Sequence, residues 1–289
     1  MKLKRIIVCL IFSLFNVSLF AQNYGIVLSG GGGKGAYEVG VWKALEEYGI
    51  AQKATVFSGT SVGGLNSAMF TCSQTDECIR LWREVVPVEL TRDDEFISQT
   101  GLKKMLEMVD LSRLQKNIYP KVYVTAVRDS YTTLKIISSI FIDWADRTKR
   151  FLLNTEKDVG EIKNKLLATS AVPYLTNPVR LSDGYDYIDG GFENYGGDNI
   201  PLVPLLKNHP ELDRIIIVYL DFESKVSVPE DLKADLIEIR PTIDLNGMLG
   251  SIDFSRPTIN RIMDQGYEDA VEVLSSKKMY PVSSYWFED

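Results

Sequence analysis

The sequence predicts an α/β fold built on a mainly parallel sheet. Two observations carry the prediction. A short apolar strand runs into a glycine-rich turn and then into a helix, and the pattern occurs twice between residues 23 and 71. Residues 214–220 (RIIIVYL) form a near-continuous apolar run, as expected of a strand covered on both faces.

The elements follow in order. Residues 23–28 (NYGIVL) read as a short buried strand, followed by a glycine run at 30–33. Over 34–48, Tyr37, Val41, Ala44, Leu45 and Tyr48 recur at helical spacing, and Gly49 ends the helix. A second strand at 54–57 leads through Ser58-Gly59-Thr60-Ser61-Val62-Gly63-Gly64 into a helix at 65–71. Amphipathic helices are expected at 76–85 and 93–108, and a strand pair at 122–127 and 133–137. A helix at 159–169 stops before Pro173. A short strand at 185–188 enters Asp189-Gly190-Gly191, another strand is expected at 236–239, and an amphipathic helix at 261–274. The result is about six strands with helices between them. No repeat, low-complexity tract or linker divides the chain, so residues 22–289 are expected to form one domain.

Composition narrows the function. With 45% hydrophobic and 25% charged residues in 289, the chain is neither disordered, collagen-like nor a polytopic membrane protein. Its net charge of −7 argues against a nucleic-acid partner, which needs clustered positive charge. Lys2, Lys4 and Arg5 precede an apolar run at 6–20 and then Ala21, which reads as a secretory signal peptide over residues 1–21. The expected destination is the periplasm, the outer membrane or the exterior. Removing that segment leaves 29 basic against 39 acidic residues, a net charge of −10. Such a chain should meet lipid head groups through apolar or local contacts rather than global attraction. An exported protein can keep a disulfide, and Cys72–Cys78 is the expected pair, two free thiols flanking a turn being the alternative.

Three clusters can do chemistry. Gly59-Thr60-Ser61-Val62-Gly63 matches G-x-S-x-G between a strand and a helix. A serine on so tight a turn needs neighbours without bulk, here Gly59 and Gly63, and the turn exposes its hydroxyl at a helix start. Gly30-Gly31-Gly32-Gly33-Lys34-Gly35 can turn successive N–H groups toward one anion, which in acyl transfer is the tetrahedral oxyanion. A Walker loop would need Ser or Thr where Gly35 stands. A dinucleotide site would need an acidic residue where Ser58, Gly59 and Thr60 stand. Asp189-Gly190-Gly191 places a carboxylate on a tight turn with open space around it.

The chain has one histidine, His209, at an expected helix end before Pro210, where it reads as a cap. A Ser-His-Asp triad is therefore disfavoured, and a carboxylate is the simplest base for Ser61, with Asp189 the candidate. Lys34 is the other conceivable base but reads better as a charge beside the glycine loop. No convincing metal-ligand set is present, and no cofactor is expected.

Together the three clusters resemble the patatin-like phospholipase family. Leu28-Ser29-Gly30-Gly31-Gly32-Gly33-Lys34-Gly35-Ala36-Tyr37 resembles its glycine-rich loop, Gly59-Thr60-Ser61-Val62-Gly63-Gly64 its nucleophile elbow and Asp189-Gly190-Gly191 its aspartate motif. The approach Ala168-Thr169-Ser170-Ala171-Val172-Pro173 is similar too, and order and spacing fit over about 24–220. The resemblance implies a three-layer α/β/α sandwich, a Ser61–Asp189 dyad and hydrolysis of lipid acyl esters, with phospholipase A or lysophospholipase activity typical. On that reading Gly31, Gly32, Gly33 and Val62 hold the oxyanion, and Lys34, Gly35, Gly59, Gly63, Gly190 and Gly191 support the site. The expected partner is a lipid or phospholipid ester, with transient contact at a membrane surface. An esterase or acyltransferase for a non-lipid acyl donor, and a non-catalytic lipid-binding protein of the same fold, are the alternatives.

Residues 192–198 intervene before Asn199-Ile200-Pro201, where the family usually moves quickly into an Asn-x-Pro segment. Residues 221–289 carry no matching motif. The apolar stretch 136–144 reads as a core strand and helix start, or else as an acyl-chain wall or interfacial patch through Ile137, Ile140, Phe141 and Trp144. Residues 280–287 read as a strap over the core.

Overall fold

The computed structural model describes residues 22–92, 97–129 and 147–282. The expected signal peptide, the stretch 136–144, the strand at 133–137 and residues 283–287 of the expected strap lie outside them.

One eight-stranded sheet organises the described residues: β1 (Tyr24–Leu28), β2 (Ala54–Thr60), β3 (Lys121–Arg128), β4 (Thr148–Leu152), β5 (Val179–Arg180), β6 (Asp186–Asp189), β7 (Arg214–Val218) and β8 (Asp235–Ile239). The centre is parallel: β3, β2, β1, β7 and β8 run side by side in that order. The helices are α1 (Ala36–Glu47), α2 (Val62–Cys72), α3 (Thr75–Arg80), α4 (Val86–Glu89), α5 (Gln99–Glu107), α6 (Ser112–Lys116), α7 (Val159–Thr169), α8 (Val203–Asn208) and α9 (Arg256–Ser276). A π-helical segment, Leu81–Val85, joins α3 to α4.

Side-chain alternation makes the sheet the middle of a sandwich. In β1 and β7, Ile26, Leu28, Ile216 and Val218 enter one core with α1, α2 and α9, whereas Val27, Ile215 and Ile217 enter a second core with Leu205 of α8. Among the described residues, the cores begin at Tyr24. The mainly parallel α/β/α sandwich is therefore the observed architecture.

Two strands went unexpected. β4 (TKRFL) carries charges on a partly exposed edge and β5 has two residues, so neither shows an apolar run. The helix at 261–274 extends back to Arg256.

The register of β3 places the site. Residues 123–127 pair with β4, so β4 occupies one edge of β3. β2 pairs with 121–125 and β6 with 126–128, so those two strands follow one another along the other edge. Thr60 stands opposite Thr125 and Asp189 opposite Ala126. Thr60, the last residue before Ser61, and Asp189 thus stand opposite adjacent residues of the same strand, β3.

Candidate active site

Ser61 is the residue between β2 and α2, with φ 54° and ψ −125°. A non-glycine residue there is strained by about 1–3 kcal/mol and persists only where its surroundings impose it. They do so by close backbone approach. A Cβ on Gly59 would lie 2.3 Å from the Gly63 carbonyl carbon, and one on Gly63 would lie 2.3 Å from the Leu28 carbonyl oxygen. Only hydrogen at both positions lets the turn close against β1. Thr169, at the end of α7, pins the turn: its Oγ1 accepts from the Ser61 N–H at 2.9 Å and donates to the Thr125 carbonyl.

The Ser61 hydroxyl donates to Asp189 Oδ2 at 2.6 Å across 128 positions of sequence. Ser61 is 7% exposed and Asp189 2%. The other carboxylate oxygen accepts the Gly191 N–H at 2.7 Å. Burial pushes Asp189 up to about 6, against the pull of the bonds from Ser61 and Gly191. The backbone around it is tight: a Cβ on Gly190 would lie 2.2 Å from the Thr125 carbonyl oxygen, and one on Gly191 would lie 2.6 Å from Asn199 Oδ1. A hydroxyl already donating to a buried, ionisable carboxylate can pass its proton along that bond when the oxygen attacks.

The glycine loop lies across from this pair. Gly30, Gly31 and Gly32 border the same cavity as Ser61, Val62 and Asp189, and Gly33 lies outside its lining. The Gly32 backbone has φ +55°, and a Cβ there would meet the Ser251 carbonyl oxygen at 2.1 Å; one on Gly33 would meet the Asp253 and Gly250 carbonyls at 2.6 and 2.7 Å. The loop is thus backed by residues 250–253, in the region without a motif. Gly35 allows Val62 and Trp82 to approach, a Cβ there falling 2.3 Å from Val62 Cγ2. Burial lowers the Lys34 ammonium, while Asp221 and Asp244 pull it the other way. Lys34 thus lies in the field of two acidic groups of the later region, with burial the stronger influence.

Several residues that fix this geometry were not among the expected site residues, although Asn199 opens the Asn-x-Pro segment noted in the sequence. Asn199 brackets the loop: its carbonyl accepts from the Gly30 N–H at 3.2 Å and its Nδ2 donates to the Gly30 carbonyl at 3.4 Å. Residues 192–198 therefore return the chain to the site. Asn66, five residues beyond Ser61, donates to Glu38 Oε2 at 2.7 Å and to the Gly35 carbonyl at 3.0 Å, and accepts from Trp82 Nε1 at 3.0 Å. Burial holds the Glu38 carboxyl well above its ordinary value, against the Asn66 bond. This network ties the start of α1 to α2 and to a wall of the cavity.

The cavity has a volume of about 550 Å³. Its walls are mainly apolar, with Leu65, Met69, Trp82, Leu102, Leu106 and Val172 among them. Such a space accepts a hydrocarbon chain whose polar end reaches Ser61.

One expectation changes and one is sharpened. Cys72 and Cys78 are free, buried thiols, so the expected disulfide is not formed. They belong to the apolar core, Cys72 ends α2, and the Cys78 thiol donates to the Met69 carbonyl at 3.8 Å. Burial pushes both thiols up to about 12. His209 caps α8 as expected, but it is buried: its Nε2 faces the Tyr123 hydroxyl at 3.2 Å and its Nδ1 faces Glu211 at 2.9 Å.

A family model of patatin-like phospholipases matches residues 26–206. The lysophospholipase nte1 of Aspergillus terreus is 46% identical over 52 residues, which is 18% of this chain and only 3% of that protein's length. Among solved structures, VipD from Legionella pneumophila is similar with a TM-score of 0.53 at 14% identity, over 88% of this chain and 67% of that one. A human GIVD cytosolic phospholipase A2 gives a TM-score of 0.49 at 10% identity, over 90% of this chain and 59% of that one.

Proposed function

The chain belongs to the patatin-like phospholipase family, and from that premise we propose that it hydrolyses acyl esters of lipids with Ser61 as nucleophile and Asp189 as base. The observation that carries the reading is the 2.6 Å bond from the Ser61 hydroxyl to a buried carboxylate on the wall of an apolar cavity.

Ser61 Oγ attacks the acyl carbonyl carbon while Asp189 Oδ2 takes its proton. The carbonyl oxygen becomes the oxyanion. We assign its donors to the amides of Gly31, Gly32 and Val62, which border the cavity, and leave Gly33 as a packing residue. Each well-aimed donor contributes about 3 kcal/mol to the transition state. The ester C–O bond then breaks, and Asp189 returns its proton to the leaving alcohol. Water attacks the acyl-serine, gives its proton to Asp189 and releases the fatty acid, and Ser61 recovers its proton from Asp189. The scheme uses no metal or organic cofactor. The basic and apolar segment at 1–20 supports export as the setting for this activity.

A phospholipid panel tests the proposal. The protein should release fatty acid, Ser61→Ala should lose roughly 10⁴-fold or more in kcat, and Asp189→Asn a comparable amount. Full turnover by Asp189→Asn would remove Asp189 as the base.

A further inference from the structure

We infer that two uncharged turns at the cavity's rim dock this protein onto a zwitterionic lipid bilayer, an inference that rests on the lipid-ester reading above and names how its substrate is reached. The first turn, at 172–177 (VPYLTN), leads into the strand pair that ends at Asp189, and the second, at 245–252 (LNGMLGSI), backs the glycine loop. Neither holds a charged residue, in a chain that is 25% charged.

Both turns hold large apolar side chains in solvent. Tyr174 is 93% exposed, Met248 88% and Leu249 71%. Leu175 and Met248 also line the cavity, so the exposed apolar surface is continuous with the apolar interior. The first turn continues through a bond between the Tyr174 and Tyr195 hydroxyls at 3.3 Å to Phe192, which packs on Tyr195 and lines the same cavity.

Backbone geometry is the second observation. Tyr174 has φ +69°, a conformation that a small polar residue or glycine adopts at less cost. Local preference does not explain a bulky ring held there almost wholly in water, and its hydroxyl bond to Tyr195 fixes the ring without burying it. The placement is explained by an amphipathic ring set at the level of lipid head groups. Met248 and Leu249 follow two residues of positive φ, Asn246 and Gly247, which project that turn in the same manner.

Charge decides which lipid surface fits. The chain is acidic and the two turns carry no charge of their own, while Asp244 and Arg261, which bond to Gly247 and Asn246 of the second turn, are of opposite sign, so insertion of apolar side chains drives docking and phosphatidylcholine suffices as the surface. The acyl chain then passes from bilayer to cavity along apolar surface.

The test separates docking from catalysis. Residues 22–289 carrying Ser61→Ala are sedimented with phosphatidylcholine vesicles at low and high salt. They should pellet with little dependence on salt, and adding Tyr174→Asn and Leu249→Ser should lower the partition coefficient roughly tenfold to a hundredfold. Asn tolerates the φ of position 174, and both side chains are exposed, so the melting curve should stay in place. Tyr174→Trp should restore binding. With Ser61 present, the double variant should keep its rate on a soluble short-chain ester and lose at least tenfold on vesicles. Unchanged partition in the double variant, or binding that requires anionic vesicles and disappears in salt, would overturn the inference. If the unsubstituted protein cleaves neither substrate, the lipid-ester reading fails while sedimentation still decides the docking.

Discussion

Residues 26–206 carry all three glycine-containing motifs, and residues 207–282 carry none, yet both regions wall one cavity. The earlier region supplies the groups in contact: Ser61, Asp189 and the amides of the glycine loop. The later region supplies their backing. Ser251 and Asp253 carbonyls press on Gly32 and Gly33, Leu220 packs on Gly31, and α9 lies along α1. The difference teaches that reacting groups need particular residues at short spacing, whereas backing needs only a backbone carbonyl or an apolar side chain at the right place. Many sequences meet the second requirement, so it leaves no motif.

The comparison can be broken in graded steps. Replacing Ser61 removes chemistry, with the loss of about 10⁴-fold or more expected above. Gly32→Ala strikes the contact between the two regions, since its Cβ would meet the Ser251 carbonyl, and it also strains a backbone held at φ +55°. Displacing the loop by about an ångström should lower kcat about a hundredfold and change KM less, read by steady-state kinetics on a soluble ester. Wild-type activity in Gly32→Ala would mean that the later region does not hold the loop.

A pH profile sharpens the division. In the proposed mechanism Asp189 must be ionised to accept a proton, and burial holds it at about 6. The kcat/KM should therefore fall about tenfold per pH unit below that value and level off above it. Gly32→Ala should keep the same midpoint, because its contact with the later region does not include the carboxylate. A midpoint near the ordinary value of a solvent-exposed aspartate would contradict the burial of Asp189.

The smallest effect belongs to helix packing. A Cβ on Gly40 of α1 would meet the Met263 carbonyl oxygen of α9 at 1.9 Å, and one on Gly266 would meet the Tyr37 carbonyl oxygen at 2.1 Å. Gly40→Ala should destabilise the protein by about 1–3 kcal/mol in denaturant unfolding, with kcat nearly unchanged in the folded fraction.

Legibility in the sequence follows the same division. The strands at β1, β2 and β7 were readable because burial on both faces writes an apolar run, β8 because Leu236, Ile237 and Ile239 remain apolar at a half-exposed edge, and Val159–Thr169 because its apolar spacing ends at a proline boundary. Ser61 and Asp189 were readable because each stands among glycines that the backbone demands. Thr169 was not readable as a positioning residue: its work is to join Ser61 to Thr125, and a threonine at a helix end has many uses. Asn66 and Glu38 were invisible for the same reason, since a buried polar network is defined only once three elements meet. The Cys72–Cys78 pairing failed because spacing says nothing about burial, and both side chains are taken up by the core.

The shared edge of β3 has an architectural consequence. Because β2 and β6 abut end to end on one rail of hydrogen bonds, the gap between hydroxyl and carboxylate is metered by a single peptide step, Thr125 to Ala126. Connecting segments elsewhere can be lengthened, shortened or rewired without resetting that gauge. A slip of β6 by one notch along the rail would turn Asp189 to the opposite face of the sheet and silence the pair at once.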